Sequence, residues 1–258
     1  MASRKKLPAK ITNRKTFEAA LWAVVEPYAN KLAEEEGARA RARLSNGRGG
    51  GAVVLPPSRV APVRRDDLLL HLLHRIWLAY SEITKSFETL QNIPVYLRHF
   101  PSSAPRRITR LGWVRYHVEN YFHESYIFQN RVEALCALLR KTYRKQSYAS
   151  QINELFECFE KAVKDSFGGM ISIRGGHVHD SRFEDKSLRI LRLAELFSTG
   201  QARPARFHRE VFLDTKAEKL FWMQSNNAVI KGWLDVCGRI LGGALFMADG
   251  SFRFPSPR

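Results

Sequence analysis

Apolar residues recur every three to four positions over most of this chain, which is the spacing of α-helices that bury one face. Six segments follow this pattern, and capping or helix-breaking residues indicate where several of them begin or end. We predict helices over residues 16–36, 66–93, 107–145, 150–167, 185–197 and 214–245. Strands are not expected, because no Asn-Gly or Asp-Gly turn lies between alternating segments. The pattern predicts an all-α protein, an irregular helical bundle.

Glycine and proline define the expected ends of three of these helices. Gly37 closes the first helix, Pro94 ends the second, and the pair Gly168 and Gly169 stops the fourth. These are the two poorest helix formers, which is why we expect boundaries there. Pro27 lies inside the first helix and predicts a kink or two shorter helices.

Residues 37–65 contain seven arginines, no acidic residue, and clusters of glycine and proline. This composition is typical of a linker or a mobile insertion, whose arginines either contact phosphates or coat a solvated loop. We therefore divide the chain into four parts: a basic N-terminus with the first helix (1–36), the linker (37–65), a helical core (66–200) and a C-terminal helix packed on that core (201–258).

No segment has the pattern of an export signal or a membrane span. Glu18 interrupts the apolar stretch that a signal peptide needs after the basic N-terminus. The apolar segment 229–248 is crossed by Lys231, Asp235 and Arg239, and charges are costly at membrane depth. Three cysteines are an odd number, and they are too far apart for a Cys-x-x-Cys motif. We expect a protein of the reducing cytoplasm with no membrane partner.

The densest group of chemically versatile side chains lies in residues 170–183, MISIRGGHVHDSRF. One interpretation is a metal-dependent hydrolase, because His177, His179 and Asp180 together could hold zinc. Hydrolases of the metallo-β-lactamase type use His-x-His-x-Asp-His. Here the aspartate directly follows the second histidine, and the last histidine is absent.

A second interpretation comes from Arg174 and His179, which are separated by four residues. This spacing resembles the Arg-x(4–6)-His signature of the HEPN superfamily, small all-α domains of which many are metal-independent ribonucleases. The resemblance extends to the order of elements over residues 66–197: a long aromatic-rich helix, a further helix, and then the motif at the opening of another helix. Where the family commonly has a polar residue after the arginine, this chain has Gly175.

The resemblance implies an endoribonuclease in which Arg174 and His179 are catalytic and His177 is an accessory acid or base. It also implies that Glu124, on the long preceding helix, approaches the motif. We expect no metal and no cofactor. The family further implies a homodimer with the motif at the subunit cleft, and a toxin or antiviral-defence component with an antitoxin or defence-system partner. A non-catalytic HEPN-like module that binds RNA or protein is the alternative.

Metal-free cleavage of RNA needs a base for the 2′-hydroxyl proton, an acid for the departing 5′-oxygen, and fixed positive charge at the phosphate. Histidine titrates near neutral pH and can transfer protons, and the planar guanidinium of arginine matches phosphate oxygens. The expected product carries a 2′,3′-cyclic phosphate. DNA lacks the 2′-hydroxyl group and is not expected to be cut.

Arg174 and His179 also have a structural explanation, since the arginine can pair with Asp180 or Glu184 and the histidine can cap or pack at a helix end. Positions five apart on an ideal helix differ by ~140° around its axis. The two side chains therefore converge only if the glycines between them break the helix, or if another subunit completes the site.

Glu124 falls on the same helical stripe as Tyr121 and Phe128, where a carboxylate is not buried without a partner. A role at the motif is one explanation of its position. A salt bridge with His117 or Arg131 at helical spacing is the other.

The chain has 42 Lys and Arg against 25 Asp and Glu, a formal net charge of +17 over 258 residues. A charge this high favours polyanionic partners, although it also serves solubility alone. Residues 98–145 hold ten Lys and Arg against three acidic residues, so much of the excess falls on the long helix expected beside the motif. We expect RNA as the partner, contacted by Arg106, Arg107, Arg110 and Arg182.

Overall fold

The computed structural model describes residues 11–46, 65–100, 108–179, 182–197 and 202–255. Within these ranges the chain forms six helices and no strand beyond an isolated bridge between Phe246 and Phe252. The helices are α1 (Arg14–Asn46), α2 (Arg65–Arg98), α3 (Arg110–Tyr143), α4 (Ala149–His179), α5 (Lys186–Phe197) and α6 (Ala202–Leu245). The predicted all-α class is confirmed. No helix in the described ranges combines the length and hydrophobicity needed to cross a membrane.

The first predicted boundary is wrong, because α1 continues past Gly37 to Asn46. The residues that follow Gly37 are mainly alanine and arginine, which are strong helix formers. A single glycine costs about 1 kcal/mol relative to alanine and does not stop such a helix. The end of α1 therefore lies in the segment predicted as a linker, and residues 47–64 of that segment lie outside the described residues.

The predicted stop at Gly168 and Gly169 is also wrong, because α4 continues to His179. A Cβ built on either glycine would have no atom within 4 Å, so both face open space. Side chains that flank the pair pack well: the Phe167 ring lies 5.6 Å from the ring of Phe128. This packing outweighs the cost of about 1 kcal/mol for each helical glycine.

The third predicted end, Pro94, lies inside α2, which continues to Arg98. Proline has no backbone N–H, so the carbonyl of Leu90 loses its usual helical donor. Asn227 of α6 replaces that donor, with its Nδ2 at 3.0 Å from the Leu90 oxygen. A residue 137 positions away in sequence thus makes the proline tolerable within the helix.

The helix α6 begins at Ala202, earlier than the predicted start at residue 214. Its first residues include Pro204, which helices accept in their first turn, and the buried Phe212 lies in the added part. The bounds of α3 and α5 fall close to the predicted ones.

The described residues group into two compact units. Unit 1 takes its residues from Met1–Ala79, Leu138–Ile152 and Asp235–Arg258. In its core, the ring of Phe17 meets that of Phe246 edge to face, with centroids 6.3 Å apart. Gly242 allows close contact between α6 and the segment that leads into α1, because a Cβ there would lie 2.5 Å from a side-chain carbon of Ile11.

Unit 2 takes its residues from Tyr80–Ala137 and Asn153–Leu234, and it contains the sequence motif described above. Tyr121 of α3 lies in its core and donates a hydrogen bond to Asn227 Oδ1 at 2.9 Å, with the Met223 carbonyl oxygen at 3.2 Å. Burial raises the pKa of Tyr121, so its hydroxyl stays protonated and keeps donating. These bonds tie α3 to α6.

Candidate functional site

The segment with Arg174 and His179 forms the C-terminal turns of α4, and residues on both sides of it contact α3. On one side of it, Met170 Sδ lies 3.9 Å from Ser125 Oγ of α3. On the other side, the Phe183 ring lies 5.0 Å from the ring of Phe122 of α3. Residues on both sides of the motif therefore contact the N-terminal half of α3.

Polar side chains of α3 hold the backbone that follows the motif. Arg115 Nε donates to the Phe183 carbonyl oxygen at 3.2 Å, and Glu119 Oε1 accepts from the Phe183 N–H at 3.4 Å. Arg115 also reaches Glu184, whose carboxylate pairs with Arg192 of α5 at 3.1 Å. This set of contacts fixes the chain that leads from the motif into α5, and no sequence pattern indicated it.

The backbone of α4 is helical through Gly175 and Gly176, so the helix break that would let Arg174 and His179 converge is not found. The motif also ends α4 and does not open α5, which corrects the expected order at this point. On an unbroken helix, positions five apart differ by ~140°. The structure therefore lacks the helix break, which was one of the two ways to bring the pair together.

The side chains of Arg174, His177 and His179 lie outside the described part of the structure, and so does Asp180 as a whole. The zinc hypothesis for His177, His179 and Asp180 therefore stays untested. Elsewhere in the described ranges, no group of three or more His, Cys, Asp or Glu is placed to hold a metal ion.

Glu124 faces α2 and makes two contacts in unit 2. It accepts a hydrogen bond from Ser86 Oγ, and its Oε1 lies 3.8 Å from the guanidinium of Arg131. Arg131 also pairs with Glu82 of α2 at 3.0 Å. The salt bridge to Arg131, one of the two explanations of Glu124, is present, and it leaves the Glu124 side chain 15% exposed.

Two of the four arginines expected to contact RNA are described. Arg110 begins α3, and its guanidinium carbon lies 5.2 Å from the centre of the Phe212 ring, a cation–π arrangement. Arg182 is exposed just after the motif. Arg106 and Arg107 lie outside the described residues.

Comparison with models of known protein families, with curated proteins and with solved structures found no match for this chain. The resemblance to HEPN domains therefore depends on the residues of the motif and the order of helices alone.

An ion pair between the buried Lys219 and the half-buried Asp185 at the start of α5 is a feature that the sequence did not predict. Asp185 caps α5 by accepting the N–H of Leu188 at 3.0 Å, and it binds the ammonium of Lys219 on α6. Burial alone would raise the pKa of Asp185, but the Leu188 N–H and the Lys219 charge outweigh it and hold that pKa below its usual value. The sequence predicted the helix start at Asp185, but it gave no signal that Lys219 is buried.

The burial of His117 in α3 is a second feature that the sequence did not predict. It is 5% exposed, its ring centre lies 4.4 Å from that of Trp113, and its Nε2 has no hydrogen-bond partner among the described residues. Desolvation lowers its pKa, which favours the neutral ring. A buried histidine on a predicted helix stripe resembles any other core residue in sequence, so no pattern distinguished it.

Proposed function

We propose that this protein is a metal-independent endoribonuclease of HEPN type, with Arg174 and His179 as its catalytic residues and RNA as its substrate. The observation that carries the proposal is the Arg-x(4)-His motif at the C-terminal end of α4, with flanking residues that contact α3. The all-α fold and the net charge of +17 support it further. His177 serves as an accessory acid or base, and we place the protein among toxins or antiviral-defence components.

The chemistry requires two proton transfers, one from the 2′-hydroxyl group and one to the departing 5′-oxygen. It also requires a fixed positive charge at the phosphate. His179 removes the proton from the 2′-hydroxyl group or supplies one to the departing 5′-oxygen, a contribution of ~10²–10⁴-fold. Arg174 stabilises the charge that develops on the phosphate, since its fork of N–H donors matches two oxygens. The 2′-oxygen forms a bond to phosphorus as the bond to the 5′-oxygen breaks, which leaves a 2′,3′-cyclic phosphate.

Because α4 is unbroken between the two residues, we propose that the site forms between two copies of the chain, with Arg174 from one and His179 from the other. Mixing inactive R174A and H179A variants tests this arrangement. Half of the dimers would then be mixed, each with one intact site of two, so about a quarter of the parent activity should return. No recovery after verified subunit exchange would contradict a shared site.

The central experiment measures cleavage of a labelled single-stranded RNA in excess EDTA by the full chain. R174A and H179A are each expected to lose at least ~10²-fold in rate. Matched controls are R189A on α5 and H123A on α3, because both residues are exposed and lie outside the motif. The controls should cut like the parent, and an all-DNA copy of the substrate should stay intact.

Three results would overturn the proposal in different ways. Unchanged cleavage by both R174A and H179A would remove these residues from the mechanism. Loss of cleavage in EDTA would favour the metal-dependent hydrolase with His177, His179 and Asp180. RNA binding without cleavage would favour the non-catalytic module. If the chain is also monomeric, that alternative gains support, because positions 174 and 179 differ by ~140° around the axis of an unbroken helix.

A further inference from the structure

A groove runs between the C-terminal part of α2 and the middle of α6 in unit 2. The two helices are antiparallel there, because the Leu90 carbonyl meets Asn227 while the Arg98 carbonyl accepts from Lys216 Nζ at 3.3 Å. Eight residues line the groove: Gln91, Pro94, Val95, Arg98, Gln224, Asn227, Ala228 and Lys231. On each helix the lining residues cover about two turns, or ~10 Å.

The charge of the lining is positive. Arg98 and Lys231 are both exposed, and none of the eight lining residues is acidic. The exposed amides of Gln91 and Gln224 add donors and acceptors, while Val95 supplies exposed apolar surface. The groove therefore combines two cations with neutral hydrogen-bonding groups and an apolar wall.

An exposed aromatic ring extends the groove along α6. Phe221 is 74% exposed, and the positions 221, 224 and 228 recur at helical spacing, so Phe221 shares a face with Gln224 and Ala228. A phenylalanine this exposed contributes little to folding. Next to a basic groove, it provides a flat surface on which an unpaired base can stack.

We propose that this groove binds single-stranded RNA, with Arg98 and Lys231 on the phosphates and one base stacked on Phe221. The choice of RNA as opposed to DNA rests on the function proposed above, whereas the groove itself is argued from its own residues. Base stacking on an exposed ring requires an unpaired nucleotide, which favours a single strand over a duplex. An acidic peptide would use the two cations but would gain nothing from the aromatic ring.

The test measures binding of a fluorescent single-stranded RNA of ~12 nucleotides by anisotropy, at several salt concentrations. The full chain with H179A is used, so that the probe stays intact. F221A should weaken binding roughly 5- to 150-fold with no change in salt dependence, because stacking involves no counterion. The double variant R98A/K231A should weaken binding and reduce the slope of log K against log salt by ~1.4, about 0.7 for each phosphate contact in a single strand.

Matched controls separate the groove from general charge and hydrophobicity. K161A/K164A removes two exposed charges from α4, and F207A removes an aromatic ring that is 56% exposed at the other end of α6. Both controls should bind RNA more tightly than the groove variants. A circular dichroism melt of each variant confirms that it is folded.

Equal RNA affinity of the parent, F221A and R98A/K231A would overturn the proposal that the groove binds RNA. So would losses of affinity in the control variants as large as those in the groove variants. Displacement of the RNA by an oligoglutamate of the same charge, at the same concentration as by unlabelled RNA, would assign the groove to acidic peptides. The two proposals fail separately. Groove variants that bind normally while R174A abolishes cleavage refute only the groove, and RNA that binds in the groove without being cleaved by the parent refutes only the ribonuclease.

Discussion

The link between Asn227 and the proline in α2 predicts a specific pattern of stabilities. Asn227 Nδ2 is the described donor to the carbonyl of Leu90, a fully buried residue whose helical donor is missing because residue 94 is a proline. N227A should leave that carbonyl without a partner, which costs about 1–3 kcal/mol. Tyr121 would keep the Met223 carbonyl as an acceptor at 3.2 Å, so its hydroxyl adds little to this cost.

The P94A background should remove most of this penalty, because alanine restores the backbone N–H that the Leu90 carbonyl normally receives. A double-mutant cycle compares four proteins: the parent, N227A, P94A and N227A/P94A. The coupling between the two positions should be at least about 1 kcal/mol, with N227A nearly neutral once residue 94 is alanine.

Urea denaturation of the full chain, followed by far-UV circular dichroism, measures the four free energies of unfolding. With a slope of about 3 kcal/mol per molar urea, N227A should move the midpoint down by about 0.3–1 M. N226A is the matched control, because Asn226 Nδ2 bonds only the Trp222 carbonyl of its own helix in the described contacts, at 3.0 Å. Equal losses from N227A in both backgrounds would refute the reasoning.

Three further predictions concern charge and pH. D185A should cost about 2–4 kcal/mol in urea denaturation at pH 7, because it removes the α5 cap and a partner of buried Lys219. Since the folded pKa of Asp185 is lowered, the gap between D185A and the parent should close below about pH 4, and a constant gap would contradict this. His117 has a lowered folded pKa, so the parent should lose stability as the pH falls below about 6.5, and H117L should show a shallower loss in the same titration. Charge-removing variants of Arg110 and Arg182 should each reduce the salt slope of RNA binding by ~0.7, and an unchanged slope would return their charge to a solubility role.

The helical pattern of the chain was enough to predict six helices and the all-α class. It placed the starts of α4 and α5 within one residue, at positions 150 and 185 against the observed Ala149 and Lys186. Helix ends were less predictable. Gly37, Gly168, Gly169 and Pro94 are all poor helix formers, yet α1, α4 and α2 pass through them.

Some residues of the candidate sites could be selected from sequence, and others could not. Arg174 and His179 could be selected from sequence because both lie in one short segment. A salt bridge between Glu124 and Arg131 was one of the explanations that the sequence left open, and the structure contains it. The groove between α2 and α6 could not be found, because Arg98 and Lys231 are far apart in sequence and only packing of the two helices brings them to one surface.

The sequence by itself determined what short-range physics controls: the periodic burial that makes each helix, the basic charge, and the motif within one segment. Features that depend on contacts between residues distant in the chain were decided by the tertiary structure alone. Pro94 remains helical because Asn227 of α6 supplies the missing donor, and the buried Lys219 pairs with Asp185, the cap of α5, as well as with its neighbour Glu218. Local propensities amount to about 1 kcal/mol per glycine and about 3 for a proline, and hydrogen bonds and packing between helices are large enough to override them.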